Sequence, residues 1–262
     1  MEVGRRLVVG ALCAAALSFS GVARAADALQ SIMAAKEVKI AIPTDFAPYG
    51  FVGTDLAPQG LDIDMANLVG AKLGVKTTLV PVTSANRIPY LQTGKADLVI
   101  STLGKTPERA AVIDFTHAYS PFFVGIFGPK GVPAAKPADL AGMSIAVTRG
   151  AVEDTELTKV APPSTDVHRF EDNNATIAAF LSGQTKLVAT SVQVAQAIMK
   201  KDPSLGVEYK FLLKDSPNFI GVAKGQDALR AKLDAIIAAA RADGELDALS
   251  KKWLGRPVGD LP

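Results

Sequence analysis

Cysteine and histidine are nearly absent from this chain of 262 residues. The single cysteine, Cys13, lies inside an apolar N-terminal run, so we expect no disulfide once that run is removed. His117 and His168 stand far apart in the sequence and lack the spacing of metal ligands. We therefore predict neither a metal site nor a cofactor.

An excess of charge of one sign is also missing. The formal net charge is +2 at pH 7, from 28 basic and 26 acidic residues. Residues 1–25 carry three of the basic residues and one of the acidic ones, which leaves 25 of each in the remainder. No run of lysine and arginine is present, and phosphate neutralisation dominates nucleic-acid binding, so a nucleic-acid partner is not predicted.

The first 25 residues have the pattern of a secretory signal peptide. Arg5 and Arg6 precede an apolar stretch at 7–19, and an Ala-Arg-Ala tripeptide ends at Ala25, where we predict cleavage. The alternative, a membrane anchor, is disfavoured because thirteen residues are too few to cross a bilayer core of about 30 Å. Cys13 lies in the middle of the stretch, so we expect a freely secreted protein and not a lipoprotein.

Strand-like runs alternate with helical patterns along the rest of the chain. The apolar β-branched runs predict strands at 38–42, 77–82, 96–100, 144–147, 167–170, 187–190, 209–213 and 219–223. The helical stripes lie at 62–73, 86–93, 152–159, 175–182, 192–200 and 227–242, with short helices after Pro107 and before Gly255. Strand–helix–strand spacing of this length implies parallel crossovers and an α/β fold.

The pattern is interrupted once, at 129–137, where glycine, proline and alanine give a linker composition. The two halves on either side are compatible with two domains in series. They are equally compatible with a chain that crosses between two lobes twice, its last segment returning to the first lobe. Periodicity alone does not decide between these arrangements.

Several motifs together resemble the polar-amino-acid family of bacterial extracellular solute-binding proteins. The motifs are TDFAPY at 44–49, GLDID at 60–64, GKADL at 94–98, TPER at 106–109, IDF at 113–115, LAG at 140–142 and KWLG at 252–255. The resemblance covers essentially the whole chain after the leader, and the stretch from GKADL to IDF is its most specific part.

The resemblance implies an α/β fold of the two-lobed, hinged periplasmic-binding-protein type, each lobe a mostly parallel sheet flanked by helices. Lobe 1 would comprise 27–123 plus 219–262, and lobe 2 would comprise 124–218. Such a protein captures a polar amino acid in the periplasm by lobe closure, and an acidic amino acid is a candidate for this ligand. It then delivers that amino acid to the membrane permease of an ABC importer, and we expect it to act as a monomer.

The resemblance also implies which residues line the ligand cleft. Arg109 stands at the family's position for gripping a carboxylate through two parallel hydrogen bonds. Arg87 resembles the arginine that meets the side-chain carboxylate in members selective for acidic amino acids. The other expected ligand-binding residues are Asp45, Phe46, Tyr49, Ser101, Thr102, Gly104, Val152, Glu153 and Ser191.

Three positions depart from the family pattern. Gly104 and Val152 stand where many relatives have serine or threonine, so only their backbones are available. Ser191 stands where many relatives carry the aspartate that binds the ammonium group. Asp45, Glu153 and Asp154 follow strand ends predicted to face the cleft, and the ammonium partner stays open among them.

Two alternative functions remain at this stage, although we predict no enzymatic activity. One is a lyase resembling cyclohexadienyl dehydratase, for which Glu153 is the only candidate general acid. The other is a binding protein that senses its solute by docking onto a separate receptor.

Overall fold

A computed structural model describes residues 27–262, so the predicted leader and its cleavage after Ala25 lie outside the described residues. The helices are α1 (Ala28–Ala35), α2 (Leu61–Leu73), α3 (Arg87–Gln92), α4 (Pro107–Val112), α5 (Val152–Val160), α6 (Asn173–Leu181), α7 (Val192–Lys201), α8 (Asp227–Ala242) and α9 (Glu245–Leu254). The strands are β1 (Glu37–Ile42), β2 (Asp45–Phe46), β3 (Gly50–Val52), β4 (Pro58–Gln59), β5 (Lys76–Pro81), β6 (Leu98–Val99), β7 (Ile113–Ser120), β8 (Phe123–Pro129), β9 (Ser144–Thr148), β10 (Asp166–Phe170), β11 (Leu187–Ser191), β12 (Val207–Asp215) and β13 (Asn218–Ala223). No helix within residues 27–262 is long and apolar enough to span a membrane.

Two five-stranded sheets organise the molecule, and we call the parts built on them the first and second lobe. The first sheet has the order β5-β1-β6-β13-β7, and the second has the order β10-β9-β11-β8-β12. Each sheet contains two parallel and two antiparallel pairings. The predicted α/β fold with two lobes is confirmed, but each sheet is mixed and not mostly parallel, because β13 and β7 in the first sheet and β8 and β12 in the second pair antiparallel.

The chain passes between the sheets twice, because β13 returns to the first sheet after the second is complete. The two passages run side by side: the N–H of Ser216, between β12 and β13, donates to the carbonyl of Phe122, between β7 and β8, over 2.8 Å. Two paired strands of this kind can act as a hinge.

The linker composition at 129–137 marks a turn within the second lobe and not one of the two passages between the sheets. The segment leaves β8 and stays against the second sheet, where the Lys210 ammonium donates to the carbonyls of Pro129 and Val132 at 2.8 Å each. Glycine and proline report a turn, and a turn within a lobe gives the same composition as a turn between lobes.

The core of the first lobe explains why its elements form where the sequence predicts. β1 carries a nearly continuous apolar run because both of its faces are covered, and Ile40 and Ile42 are fully buried. On α2, Met65 and Val69 form the buried stripe, and the helix ends at Gly74 in the left-handed conformation with φ 71°. Each such buried side chain stabilises the fold by about 1.5–3 kcal/mol.

Four features were not predicted from the sequence. They are α1, the small antiparallel sheet β2-β3-β4, and the strands β7 and β8. β2 and β4 are two residues long, too short to show any periodicity.

Candidate ligand-binding site

The two lobes contact each other along the loops that follow their strands. The carboxyl ends of parallel strands are where ligands collect in open α/β sheets. Loops after β1 and β6 of the first lobe face loops after β9 and β10 of the second, so the structure is a closed form of the cleft.

Arg109 crosses this interface. It lies on α4, which Thr106 caps by accepting a hydrogen bond from the Arg109 N–H at 3.3 Å. Its guanidinium donates to the Gly104 carbonyl at 2.7 Å and to the Gly150 carbonyl of the second lobe at 3.0 Å. Burial lowers the pKa of Arg109, while the charge of Glu153 opposes that change. The side chain is fixed at the boundary, with its charge retained at neutral pH.

Arg87 is buried on the first-lobe side of the cleft, only 2% exposed. Its guanidinium donates to the backbone carbonyls of Ser101 and Thr102, and its Nε has no hydrogen-bond partner in the part of the chain that the structure describes. Burial, followed by repulsion from Arg109, lowers the pKa of Arg87 to about 9. The guanidinium therefore stays charged at neutral pH, and its Nε–H is available to a further acceptor.

Asp62 is a buried carboxylate beneath the same loop, and it was missed as a site residue. It accepts hydrogen bonds from the Thr102 N–H at 2.8 Å and the Tyr119 hydroxyl at 2.7 Å. Burial raises its pKa to about 7, although both hydrogen bonds and the charge of Arg87 oppose this. Thr102 has φ 42°, a left-handed conformation that costs energy in a non-glycine residue, and Asp62 helps to hold it there.

Gly104 lacks a side chain because a neighbour takes the space. A Cβ at this position would meet the Ser216 hydroxyl, and the Val152 side chain would lie 3.5 Å away. Ser216 is 4% exposed and belongs to the second passage between the lobes. A hydroxyl from a residue distant in sequence thus occupies the space that the side chain of residue 104 takes in the family pattern.

Three aromatic rings form one wall at the interface. Phe46 stacks on Tyr49 with centroids 5.8 Å apart, and Phe122 meets Tyr49 edge-on at 5.2 Å. The Tyr49 hydroxyl is fully buried and has no hydrogen-bond partner within the described segment 27–262, and burial raises the pKa of Tyr49 well above its usual value. Asp62 and Glu153 are the acidic groups whose charges add to this rise.

The second lobe contributes the first turn of α5. Gly150 has φ 72°, and a Cβ there would lie 3.0 Å from the Cα of Ala85, so glycine permits both the turn and the close approach of the lobes. Val152 and Glu153 are 2% and 5% exposed. Burial raises the pKa of Glu153 to about 7, against the effect of its own N–H and of two arginines, Arg87 and Arg109.

The remaining candidates are held by other groups. The Asp45 carboxylate accepts from the backbone N–H and the side-chain amide of Asn173, at 2.7 and 3.1 Å. Asp154 accepts from the Gly150 N–H at 3.1 Å and from Arg169 at 2.7 Å. Ser191 is fully buried and accepts from the Val194 N–H at 3.1 Å, as the N-cap of α7.

Ten of the eleven predicted site residues are thus buried at or near one interface, and Asp45 is half-buried at its edge. Beside Asp45, a depression of about 310 Å³ opens to solvent, with Asn86 and Asp172 in its lining. Arg149 points away, pairing at 2.8 Å with the exposed Glu171, so its charge is not added to the cleft. Within the described residues 27–262, no group of three or more histidine, cysteine or acidic side chains is arranged to hold a metal ion.

Known proteins resemble this chain in sequence and in overall fold. Residues 38–256 match the model of the bacterial extracellular solute-binding proteins, family 3. The glutamine-binding protein of a Bacillus subtilis ABC transporter is 26% identical over 87% of this chain and 85% of its own length. An L-arginine-binding protein from Pseudomonas aeruginosa is 28% identical over 88% of this chain and 92% of its own. The solved structure of an ancestral amino-acid-binding protein, a precursor of cyclohexadienyl dehydratase, is 27% identical with a TM-score of 0.78, covering 87% of this chain and 99% of that one.

Proposed function

The chain belongs to family 3 of the bacterial extracellular solute-binding proteins, and from that premise we propose that it captures a polar amino acid and delivers it to an ABC importer. The observation that carries the proposal is the position of Arg109, whose guanidinium spans the two lobes. A ligand carboxylate at this position would form an ion pair with two parallel hydrogen bonds to the guanidinium, which the neutral carbonyls of Gly104 and Gly150 cannot provide. Ligand binding and lobe closure are then coupled through one side chain.

The ligand we propose is an acidic amino acid, aspartate or glutamate. The relatives' names give glutamine and arginine as their ligands, so the family does not determine this choice. Support comes from Arg87, a second buried guanidinium with an unpartnered Nε. Two buried arginines in one cleft favour a ligand with two carboxylates, because an uncompensated buried charge is costly.

The division into lobes, the partner and the leader complete the proposal. We take 27–123 with 219–262 as the first lobe and 124–218 as the second. The protein acts as a monomer outside the cytoplasmic membrane, after cleavage near Ala25. Its partner is the permease of the importer, which recognises the closed form.

A screen of thermal stability tests the proposal. The protein is unfolded, refolded without ligand, and heated with each common amino acid. A ligand at a thousand times its dissociation constant adds about 4 kcal/mol of stability. We expect the largest rise in melting temperature with aspartate or glutamate. A rise only with neutral or basic amino acids would reject the acidic ligand, and no rise with any amino acid would reject amino-acid capture.

One observation favours a second candidate, a cyclohexadienyl-dehydratase-like lyase. Glu153 is a buried carboxyl group with a raised pKa, which is the property that a general acid needs. The structural neighbour described as a precursor of such an enzyme is itself called an amino-acid-binding protein. Consumption of prephenate by the protein would favour this candidate, and simple reversible binding of an amino acid would favour the first.

A further inference from the structure

An amino-acid ligand brings an ammonium group that needs a partner inside the closed cleft, since an isolated buried charge is costly. Ser191 has no charge and its hydroxyl caps α7. Asp45 is occupied by two donors of Asn173, and Asp154 by Gly150 and Arg169. Of the acidic side chains considered from the sequence, only Glu153 remains.

Glu153 meets the requirements of an ammonium acceptor. Its side chain is buried in the first turn of α5, a helix of nine residues that begins at the interface. The ion pairs found among residues 27–262 do not include its carboxylate, although Arg87 and Arg109 are near enough to affect its pKa. The Glu153 carboxylate is therefore not committed to an ion pair with either guanidinium.

A second polar atom lies near the same place. The Tyr49 hydroxyl is fully buried and has no hydrogen-bond partner among residues 27–262, and its ring belongs to the same core cluster as Val152, the residue before Glu153. Buried polar groups are nearly always hydrogen-bonded in folded proteins, so an unpartnered hydroxyl here indicates a missing donor or acceptor. An ammonium group donates three hydrogen bonds and can serve Glu153 and Tyr49 together.

We propose that Glu153 and the Tyr49 hydroxyl receive the ammonium group of the bound amino acid, while Arg109 and Arg87 hold its two carboxylates. This assignment rests on the proposed function and deepens it. In this assignment Glu153 has the role that the family gives to an aspartate at the position of Ser191. Both positions belong to the second lobe.

The charges balance for an acidic amino acid. Arg87 and Arg109 contribute two positive charges and Glu153 one negative charge, and a ligand with two carboxylates and one ammonium cancels the remainder. Asp62 lies behind Thr102, where its oxygens are bonded to Thr102 and Tyr119 and burial favours its protonated form. A neutral amino acid would leave one buried guanidinium without a counter-charge.

Isothermal titration calorimetry with a matched pair of ligands tests the assignment. L-glutamate and glutarate differ only in the amino group, as do L-aspartate and succinate. In the Glu153→Gln variant we expect glutamate to bind at least 100-fold more weakly and glutarate to bind as well as in the wild type, or better. A 100-fold loss corresponds to about 2.8 kcal/mol, which is within the cost of removing one partner of a buried charge pair. Tyr49→Phe is expected to weaken glutamate several-fold and to leave glutarate unchanged.

The control is Glu156→Gln, the same change one turn further along α5, where the side chain pairs with Lys159 at 3.0 Å. We expect glutamate to bind this variant as it binds the wild type. Equal losses of glutamate and glutarate in Glu153→Gln, or an unchanged affinity for glutamate, would overturn the role of Glu153. If the wild type binds only amino acids without a side-chain carboxylate, the assignment of a second carboxylate to Arg87 is overturned, and that amino acid with its deamino analogue then tests Glu153 alone. A wild type that binds no amino acid would overturn the proposed function itself, and this assignment with it.

Discussion

Asn173 donates its backbone N–H and its side-chain amide to the two carboxylate oxygens of Asp45, at 2.7 and 3.1 Å. Asp45 follows β1 in the first lobe, and Asn173 is the first residue of α6 in the second. The pair lies beside the depression at the outer edge of the cleft, so it joins the lobes without occupying the site next to Arg109. We interpret it as a latch that favours the closed form.

Removal of the latch should shift the protein toward an open form. In Asp45→Ala two hydrogen bonds across the lobes are lost, each worth about 1.5–3 kcal/mol when one partner is charged. We expect ligand affinity to fall about 10- to 100-fold, mainly through faster dissociation measured by stopped flow. Glu171→Ala, an exposed carboxylate next to the same loop, is the control. An unchanged dissociation rate in Asp45→Ala would show that the pair does not stabilise closure.

A comparison of glutamate with glutamine as ligands tests the role of Arg87. Arg87→Met keeps much of the side chain's volume but removes its charge and its bonds to Ser101 and Thr102. The loss of those bonds affects every ligand alike, whereas loss of the bond to a side-chain carboxylate affects only acidic ones. We expect glutamate to lose about 10- to 100-fold more affinity than glutamine, as measured by calorimetry. Equal losses would restrict Arg87 to a structural role.

The buried acids predict how stability depends on pH. Burial raises the pKa of Glu153 from 4.5 to about 7, so the folded state holds its proton more tightly than the unfolded state. The contribution of this proton to the free energy of unfolding is fully present below about pH 4.5. It is lost as the pH rises through 7, and the loss is on the order of a few kcal/mol. Asp62, raised from 3.8 to about 7, acts in the same direction.

Urea unfolding of the ligand-free protein at several pH values measures this effect. Glutamine cannot ionise, so we expect Glu153→Gln to gain stability relative to the wild type between pH 5 and pH 8. The difference between the two proteins isolates Glu153 from Asp62 and from the surface carboxylates. A difference that stays constant with pH would mean that Glu153 does not titrate in this range.

Substitutions at Gly104 and Ser216 should have coupled effects on the free energy of unfolding. A Cβ on residue 104 meets the Ser216 hydroxyl, so Gly104→Ala forces the two apart and is expected to destabilise the protein by about 1–3 kcal/mol. In the double variant with Ser216→Gly the space is restored, and most of that loss should be recovered. A double-mutant cycle from urea unfolding gives the coupling, and strict additivity would contradict the proposed packing.

The sequence is sufficient to predict the α/β pattern, because that pattern depends on local signals, whereas Arg109 is singled out by the family resemblance of its motif. β1 and α2 appear as an apolar run and a periodic stripe, and Arg109 follows a proline that opens α4. The double passage between the sheets is not local. It depends on the pairing of β13 with β6 and β7, and no spacing in the sequence encodes that pairing.

The finer details of the site could not be predicted from the sequence, because they too depend on contacts between residues distant in the chain. Ser216 replaces the side chain missing at Gly104 from more than a hundred residues away. The sequence leaves Asp45, Glu153 and Asp154 equivalent as acidic candidates, and only their hydrogen-bond partners separate them. Asp62 stands in a recognised motif, but its burial under Thr102 appears only in three dimensions.

The most direct test of the central claim is calorimetric titration of amino acids into the ligand-free protein and its Arg109→Ala variant. The control is Arg149→Ala, because Arg149 is an exposed arginine paired with Glu171. We expect the wild type and the control to bind an acidic amino acid, and Arg109→Ala to lose at least about 100-fold in affinity while it still unfolds cooperatively. An Arg109→Ala variant that binds as tightly as the wild type would contradict the account.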